Sequence, residues 1–190
     1  MMDYLFDMDG VLVDSKEAWF RAFREVGGIS RDDFEDRYWG RDLQANLDEL
    51  GSGKEEMCGS VLVRHLDAVK LAAGVREVLD ALDGRKALVT NTTTACTERI
   101  LGDNGLDCVF DAVLTSDQVT RGKPDPALLL EAMERIGATP EATMMVGDSE
   151  EDMEAGRRAG CVTVGIGVVG DFTATGIRDL PEIASLLRRG

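Results

Sequence analysis

Lysine is scarce in this 190-residue chain. Of 21 basic residues only five are lysines: Lys16, Lys54, Lys70, Lys86 and Lys123. Against the bases stand 36 acids, and the net charge is −15. A chain with no basic surplus has no patch to displace counterions from a phosphate backbone, which argues against nucleic acid as a partner. There is a single histidine, His65. The four cysteines (Cys58, Cys96, Cys108 and Cys161) are widely spaced and form no C-x-x-C. Neither type offers a zinc spacing, so the thiols are expected to be reduced and mostly buried. No stretch approaches the roughly 18 apolar residues that a membrane helix needs. The opening "MMDYLFD" places an acid where a signal peptide carries its basic region, so the expected compartment is the cytoplasm. Dense acid with little lysine also resembles proteins of salt-rich cytoplasm, where salt screens the self-repulsion.

The apolar share is 44%, enough for a real core and for one domain, or one domain with a small insertion. Short apolar runs read as strands at Tyr4 to Phe6, Ala87 to Thr90, Ala112 to Thr115, Thr143 to Gly147 and Cys161 to Ile166. Helical patterns lie between them. "TTACTERILGDNG" runs to Gly105 as its cap. "DPALLLEAMERIG" has Pro126 in its first turn and Gly137 after its last. "SEEDMEAGRRAG" opens on acids and closes on Arg157 and Arg158, as the helix dipole favours. "DLPEIASLLRR" reads as a closing helix. Alternating strand and helix predicts an α/β fold with a mostly parallel sheet covered on both faces. Residues 15–73 break this rhythm with amphipathic helical pieces and no convincing strand, jointed at Gly27, Gly28 and Gly51 to Gly53. They read as an inserted helical cap.

In open α/β sheets functional groups gather at the carboxyl ends of the strands. The first predicted strand delivers Asp7 and Asp9, in "DMDGV". The second delivers Thr90 and Asn91. After the third comes "RGKPDP" with Lys123. The fourth delivers Asp148 and, one helical turn on, Asp152. Four carboxylates held together repel and call for a cation. Oxygen-only ligands suit Mg²⁺. A site that adds a lysine, a hydroxyl and backbone N–H groups suits a phosphoryl group.

These four stretches, "DMDGV", "TN", "GKPDP" and "GDSEED" in that order, resemble the signature motifs of the haloacid dehalogenase superfamily. The helical insert is similar to the C1 cap of its phosphoglycolate phosphatase-like and β-phosphoglucomutase-like branch. The resemblance covers essentially the whole chain. It implies a Rossmann-like three-layer core over residues 1–14 and 74–190, with the cap over 15–73. It also implies roles. Asp7 is the nucleophile that forms an aspartyl-phosphate, and Asp9 is the general acid and then the base. Thr90 and the Asn91 backbone N–H hold phosphoryl oxygens, and Lys123 neutralises the nucleophile and the phosphate. Asp7, the Asp9 carbonyl and Asp148 bind Mg²⁺, while Asp152 acts through water or on Lys123. The partner is a small phosphorylated metabolite, with phosphoglycolate the leading substrate, and the protein is a monomer or homodimer. In the cap, Arg41 beside Trp39 and Gly40 is either a ligand for a substrate carboxylate or second phosphate, or a solvated arginine. A sugar phosphomutase is an alternative, although mutase relatives usually carry an acid where this chain has Gly147. A phosphatase of protein or pyrophosphate and a non-catalytic binding module are further alternatives; the latter would be expected to lose one of the polar motif residues.

Other polar residues read as structural. Asp14, with Glu17 three residues on, reads as a helix N-cap with a capping box. Asp125 reads as a cap, and Glu150 and Glu151 as first-turn acids. His65 reads as an ordinary helix residue. "GIGVVG", Gly165 to Gly170, matches a dinucleotide fingerprint but lacks the helix that such a loop must open, so it reads as a plain loop.

Overall fold

The computed structural model describes residues 2–39, 43–53 and 56–187, with the side chains of 44, 45, 58 and 59 excepted. Six strands form one parallel sheet: β1 (Asp3–Phe6), β4 (Lys86–Thr90), β5 (Ala112–Thr115), β6 (Thr143–Gly147), β7 (Val162–Ile166) and β8 (Phe172–Ala174). Their order is β5-β4-β1-β6-β7-β8. The chain runs from β1 through β4 to β5 on one side and then crosses to β6 on the other, so β1 lies at the point where strand order reverses, the usual place for a ligand crevice. The central strands β4, β1 and β6 alternate their buried residues between two cores. Tyr4, Phe6, Leu88, Met144 and Val146 belong to one, and Leu5, Ala87, Val89 and Met145 to the other. This period of two with both faces apolar is what a doubly covered parallel sheet requires.

The helices supply the two outer layers. On the second core lie α6 (Ala127–Ile136) and α7 (Glu150–Ala159), through Leu128, Leu129, Ala132, Met133, Ala155 and Ala159. The first core takes in α4 (Val75–Ala81), α5 (Thr94–Asp103) and α8 (Leu180–Leu187). It also runs without a break into the helical segment after β1. There, α1 (Lys16–Gly27) packs its aromatic side, Trp19, Phe20 and Phe23, against Phe34 and Tyr38. Ser30 caps α2 (Arg31–Asp33), accepting from the Asp33 N–H, and a π-turn over Phe34–Tyr38 comes next. Beyond it lie α3 (Leu43–Leu50), a π-turn over Met57–Val61 and a 3₁₀ stretch over Leu62–Ala68. No helix among the described residues is long and apolar enough to cross a membrane.

Four expectations change. A two-residue strand, β3 (Lys70–Leu71), lies inside the stretch read as strandless and pairs antiparallel with β2 (Val13–Asp14). Two residues are too few to show a period. Strand β8 was not expected: it sits on the sheet edge, and its three residues, Phe172, Thr173 and Ala174, are too few to establish a period. The Asp14–Glu17 capping box does not form. Ser15 is the N-cap of α1, its hydroxyl serves Asp9 instead, and Glu17 pairs with Arg21 and Arg31. Asp14 retains one bond, accepting from Lys16 N at 3.2 Å. Pro126 stands just before α6 rather than in its first turn, while Asp125 accepts from the Ala127 N–H as a cap does. The glycine-rich run after β7 opens no helix. Cys96 and Cys161 are buried cysteines outside any disulfide, whereas Cys108 is exposed.

Candidate active site

The chain past β1 turns sharply at Gly10, where φ is +75°. A side chain here would also overlap the Asp148 carboxylate, so glycine serves twice. This turn carries Asp7 and Asp9 to the carboxyl edge of the sheet. Thr90 and Asn91 arrive at the end of β4, and Gly147 and Asp148 at the end of β6.

Lys123 lies on the loop after β5, and its ammonium is buried, with 3% of the side chain exposed. Its Nζ lies 2.5 Å from Asp7 Oδ1, 2.6 Å from Asp152 Oδ1 and 3.0 Å from the Val89 carbonyl. All three donors are thus used, which is the condition for burying a charge. Burial alone lowers the tendency of this lysine to hold its proton, but Asp152 and Asp7 outweigh it and the pKa is raised. The other oxygen of Asp152 accepts from the Ser149 N–H at 3.1 Å and from Ser149 Oγ at 2.6 Å. Ser149 Oγ in turn caps the Asp152 N–H, closing a capping box at the start of α7. Asp152 therefore fixes Lys123 and the helix start together. Gly147 packs against Asp152, and any side chain there would collide with it.

The loop that carries Lys123 is clamped by Asn91. The Asn91 Oδ1 accepts from Lys123 N at 2.8 Å, and its Nδ2 donates to the Lys123 carbonyl at 3.0 Å. The Lys123–Pro124 peptide is cis. The expectation concerned only the Asn91 backbone; its side chain proves to be the fastener of the lysine loop. Asp9 accepts from Ser15 Oγ and, at 3.2 Å, from Thr92 Oγ1. Thr90 Oγ1 accepts from the Thr92 N–H at 3.1 Å.

Carboxylate oxygens of Asp7, Asp148 and Asp152 lie within 4.8 Å of one another. Burial raises the pKa of Asp7 well above the ordinary carboxylate range. Lys123 opposes this, and Asp152, Asp9 and Asp148 add to it. Burial likewise pushes Asp148 up to about 7, with help from Asp152 and Asp9. Asp9 is raised by burial against the bonds from Ser15 and Thr92. One lysine does not offset so many acids. The oxygen-only donor set, strained by its own charge, fits a hard divalent cation such as Mg²⁺.

Above this edge opens a cavity of about 500 Å³. Asp7, Asp9, Thr90, Asn91, Thr92, Lys123 and Asp152 line its floor. Trp19, Phe23, Phe34, Tyr38, Trp39 and Leu43 of the helical segment line its far wall. Phe34 is the hub of that wall, with ring centroids 5.5 Å from Phe23 and 5.6 Å from Trp39. Arg41 lies outside the described residues. His65 stands apart from the cavity, with Nε2 2.7 Å from Glu25. Glu151, read as structural, lies on the cavity lining beside Asn91 Nδ2. Ser15, Thr92 and Asn46 were also missed. Thr92 had a signal, because it continues the polar run "TNTTT" after β4. Ser15 and Asn46 had none that local spacing reveals.

Residues 4–166 match the haloacid dehalogenase-like hydrolase family. A phosphorylated carbohydrates phosphatase from Thermotoga maritima is 31% identical over 173 residues, spanning 82% of this chain and 80% of its own. A pyrophosphatase from Listeria monocytogenes, PpaX, is 29% identical over 177 residues, spanning 85% and 81%. Among solved structures, an HAD-superfamily hydrolase of subfamily IA from Geobacter sulfurreducens superposes with a TM-score of 0.80. It is 26% identical, with 96% of this chain and 99% of that one covered. With its family model matched over most of its length, the chain belongs to the haloacid dehalogenase-like hydrolase family.

Proposed function

We propose that this protein is an Mg²⁺-dependent phosphatase that hydrolyses a small phosphomonoester through an aspartyl-phosphate on Asp7. The observation that carries the reading is the pairing of two carboxylates with different surroundings on one strand end. Asp7 is held by a buried ammonium 2.5 Å away. Asp9 is held by two hydroxyls and not by the ammonium, which suits a group that must give and take a proton. An Asp7 oxygen attacks phosphorus as the bond to the leaving oxygen breaks, and Asp9 gives that oxygen its proton. Water then attacks the phosphoryl group, Asp9 takes a proton from it, and phosphate leaves with the Asp7 carboxylate restored. Thr90 and the Asn91 backbone N–H receive the phosphoryl oxygens, and Lys123 neutralises the nucleophile and the phosphate. Asp7, the Asp9 carbonyl and Asp148 would hold Mg²⁺, which when bound neutralises the phosphoryl charge. Asp152 acts on Lys123, and would serve the metal through water.

The helical segment 15–73 is read as a cap that covers a small substrate, and the protein as a cytoplasmic monomer or homodimer. The names of the relatives, a phosphorylated carbohydrates phosphatase and a pyrophosphatase, support phosphoryl hydrolysis and leave the ester open. Phosphoglycolate belongs in the substrate panel, with Arg41 as the partner its carboxylate would need. The mutase reading gains nothing from the structure, since Gly147 has no room for the acid that such relatives carry. The test is phosphate release from a panel of esters, with Mg²⁺ or EDTA, beside Asp7→Asn. Mg²⁺-dependent release that Asp7→Asn abolishes supports the reading. Isomerised product without free phosphate, or no turnover by folded protein, sinks it.

A further inference from the structure

Three buried side-chain polar atoms among the described residues have no hydrogen-bond partner: Asn46 Oδ1, Thr93 Oγ1 and Thr97 Oγ1. Of the three residues, only Asn46 lines the cavity. It lies on α3 in the helical segment and is 2% exposed. Its orientation is set by its neighbour. One end of the amide lies 2.8 Å from the Tyr38 carbonyl, and a carbonyl only accepts, so that end is the NH₂. The unpartnered end is therefore an acceptor. The Tyr38 hydroxyl is already spent, donating to Glu49 at 3.0 Å. A buried acceptor left unpaired beside a ligand cavity calls for a donor from the ligand.

The rest of the lining narrows the ligand further. Phe34, Trp39 and Leu43 make the wall around Asn46 largely apolar. Among the described lining residues the only cation is Lys123, whose three donors are taken by Asp7, Asp152 and the Val89 carbonyl, while Glu151 adds a further acid. A second phosphate or a carboxylate is acceptor-only and anionic, and finds no described partner on this wall. A hydroxyl supplies the donor without charge.

We infer that the far wall selects phosphoesters with a hydroxylated, uncharged leaving group, a polyol or sugar, and that Asn46 accepts a hydrogen bond from one of its hydroxyls. The inference rests on the phosphatase reading above and names its substrate class. About 500 Å³ is room for a group of sugar size. A site that bonds a substrate hydroxyl rejects an analogue lacking it, because its own polar atom is then left bare.

The experiment compares kcat/KM for glucose 6-phosphate and glycerol 1-phosphate with that for phenyl phosphate, phosphoglycolate and pyrophosphate, all with Mg²⁺. The wild-type protein is expected to prefer the two hydroxylated esters. Asn46→Leu is expected to lower the ratio of glucose 6-phosphate to phenyl phosphate about tenfold, the worth of one hydrogen bond. A ratio does not depend on the fraction of protein that is folded. Should Asn46→Leu not fold, Asn46→Ser reads the same ratio, and the wild-type preference alone remains decisive. Turnover with an unchanged ratio, or a preference for phosphoglycolate or pyrophosphate, overturns the inference and leaves the phosphatase reading standing. No release from any ester, phenyl phosphate included, overturns both.

Discussion

Lys123 is the residue on which the site balances. Its ammonium is the partner of two carboxylates that would otherwise repel each other in a place shielded from water. Removing one partner of a buried pair leaves charge uncompensated, at a typical cost of about 3–5 kcal/mol. Lys123→Met is therefore expected to lower stability to urea by an amount of that order in EDTA, and to abolish turnover. A loss below about 1 kcal/mol would mean the pair contributes little. Asp148 makes a different prediction. Its folded-state pKa, about 7, lies above the ordinary carboxylate value, so the folded metal-free protein holds a proton that the unfolded chain releases. That stabilisation is fully present below the unfolded pKa and is lost as pH rises through about 7. Mg²⁺ needs the deprotonated form. The rise in melting temperature that Mg²⁺ produces is thus expected to be larger near pH 8 than near pH 6, roughly one unit either side of that value. An equal shift at both would contradict the assignment of Asp148 to the metal.

At the scale of the element, two helix starts with the same residue type behave differently. Ser149 caps α7 and is locked to Asp152 in both directions. Ser15 begins α1 but makes no cap bond, and its hydroxyl serves Asp9. Ser149→Ala is expected to cost about 1 kcal/mol by urea unfolding, the usual worth of an N-cap. It should also lower kcat, because Asp152 loses the group that aims it at Lys123. Stability loss with wild-type kcat would mean that the cap and the site are uncoupled. From its sequence "GDSEED" was given no capping box, although Ser149 and Asp152 have its spacing. The box read at Asp14 and Glu17 had the same signal and was absent. The difference is tertiary: Arg21 and Arg31 draw Glu17 away, and Asp9 claims the neighbouring serine.

For the whole molecule the governing quantity is charge. A net charge of −15 on 190 residues is self-repelling when salt is low. Screening reaches about 30 Å at 0.01 M salt and about 3 Å at 1 M. The melting temperature is expected to climb steadily from low to molar KCl, and unchanged stability across that range would remove the salt-adapted reading. The same scale decides where the site sits. β1 is the strand at which sheet order reverses, so the segments after β1, β4, β5 and β6 converge on one crevice. The helical segment then closes it with rings drawn from the same apolar cluster that covers the sheet.

The chain by itself determined the set of groups and the side of the sheet they occupy. Five apolar runs predicted five of the six main strands, and an acid, hydroxyl or lysine after each of four placed Asp7, Asp9, Thr90, Lys123 and Asp148 on one edge. Those properties are local, carried by periodicities of two and 3.6 residues and by the polar residue types just past a strand's end. Only the tertiary structure decided which atoms meet. The pair Lys123–Asp7 joins residues 116 apart, Lys123–Asp152 residues 29 apart and Thr92–Asp9 residues 83 apart. No local pattern encodes such a separation. Asn46 is the clearest case: on the chain it is one polar residue of an amphipathic helix, and folding is what buries its amide against the Tyr38 carbonyl with one acceptor unpaired.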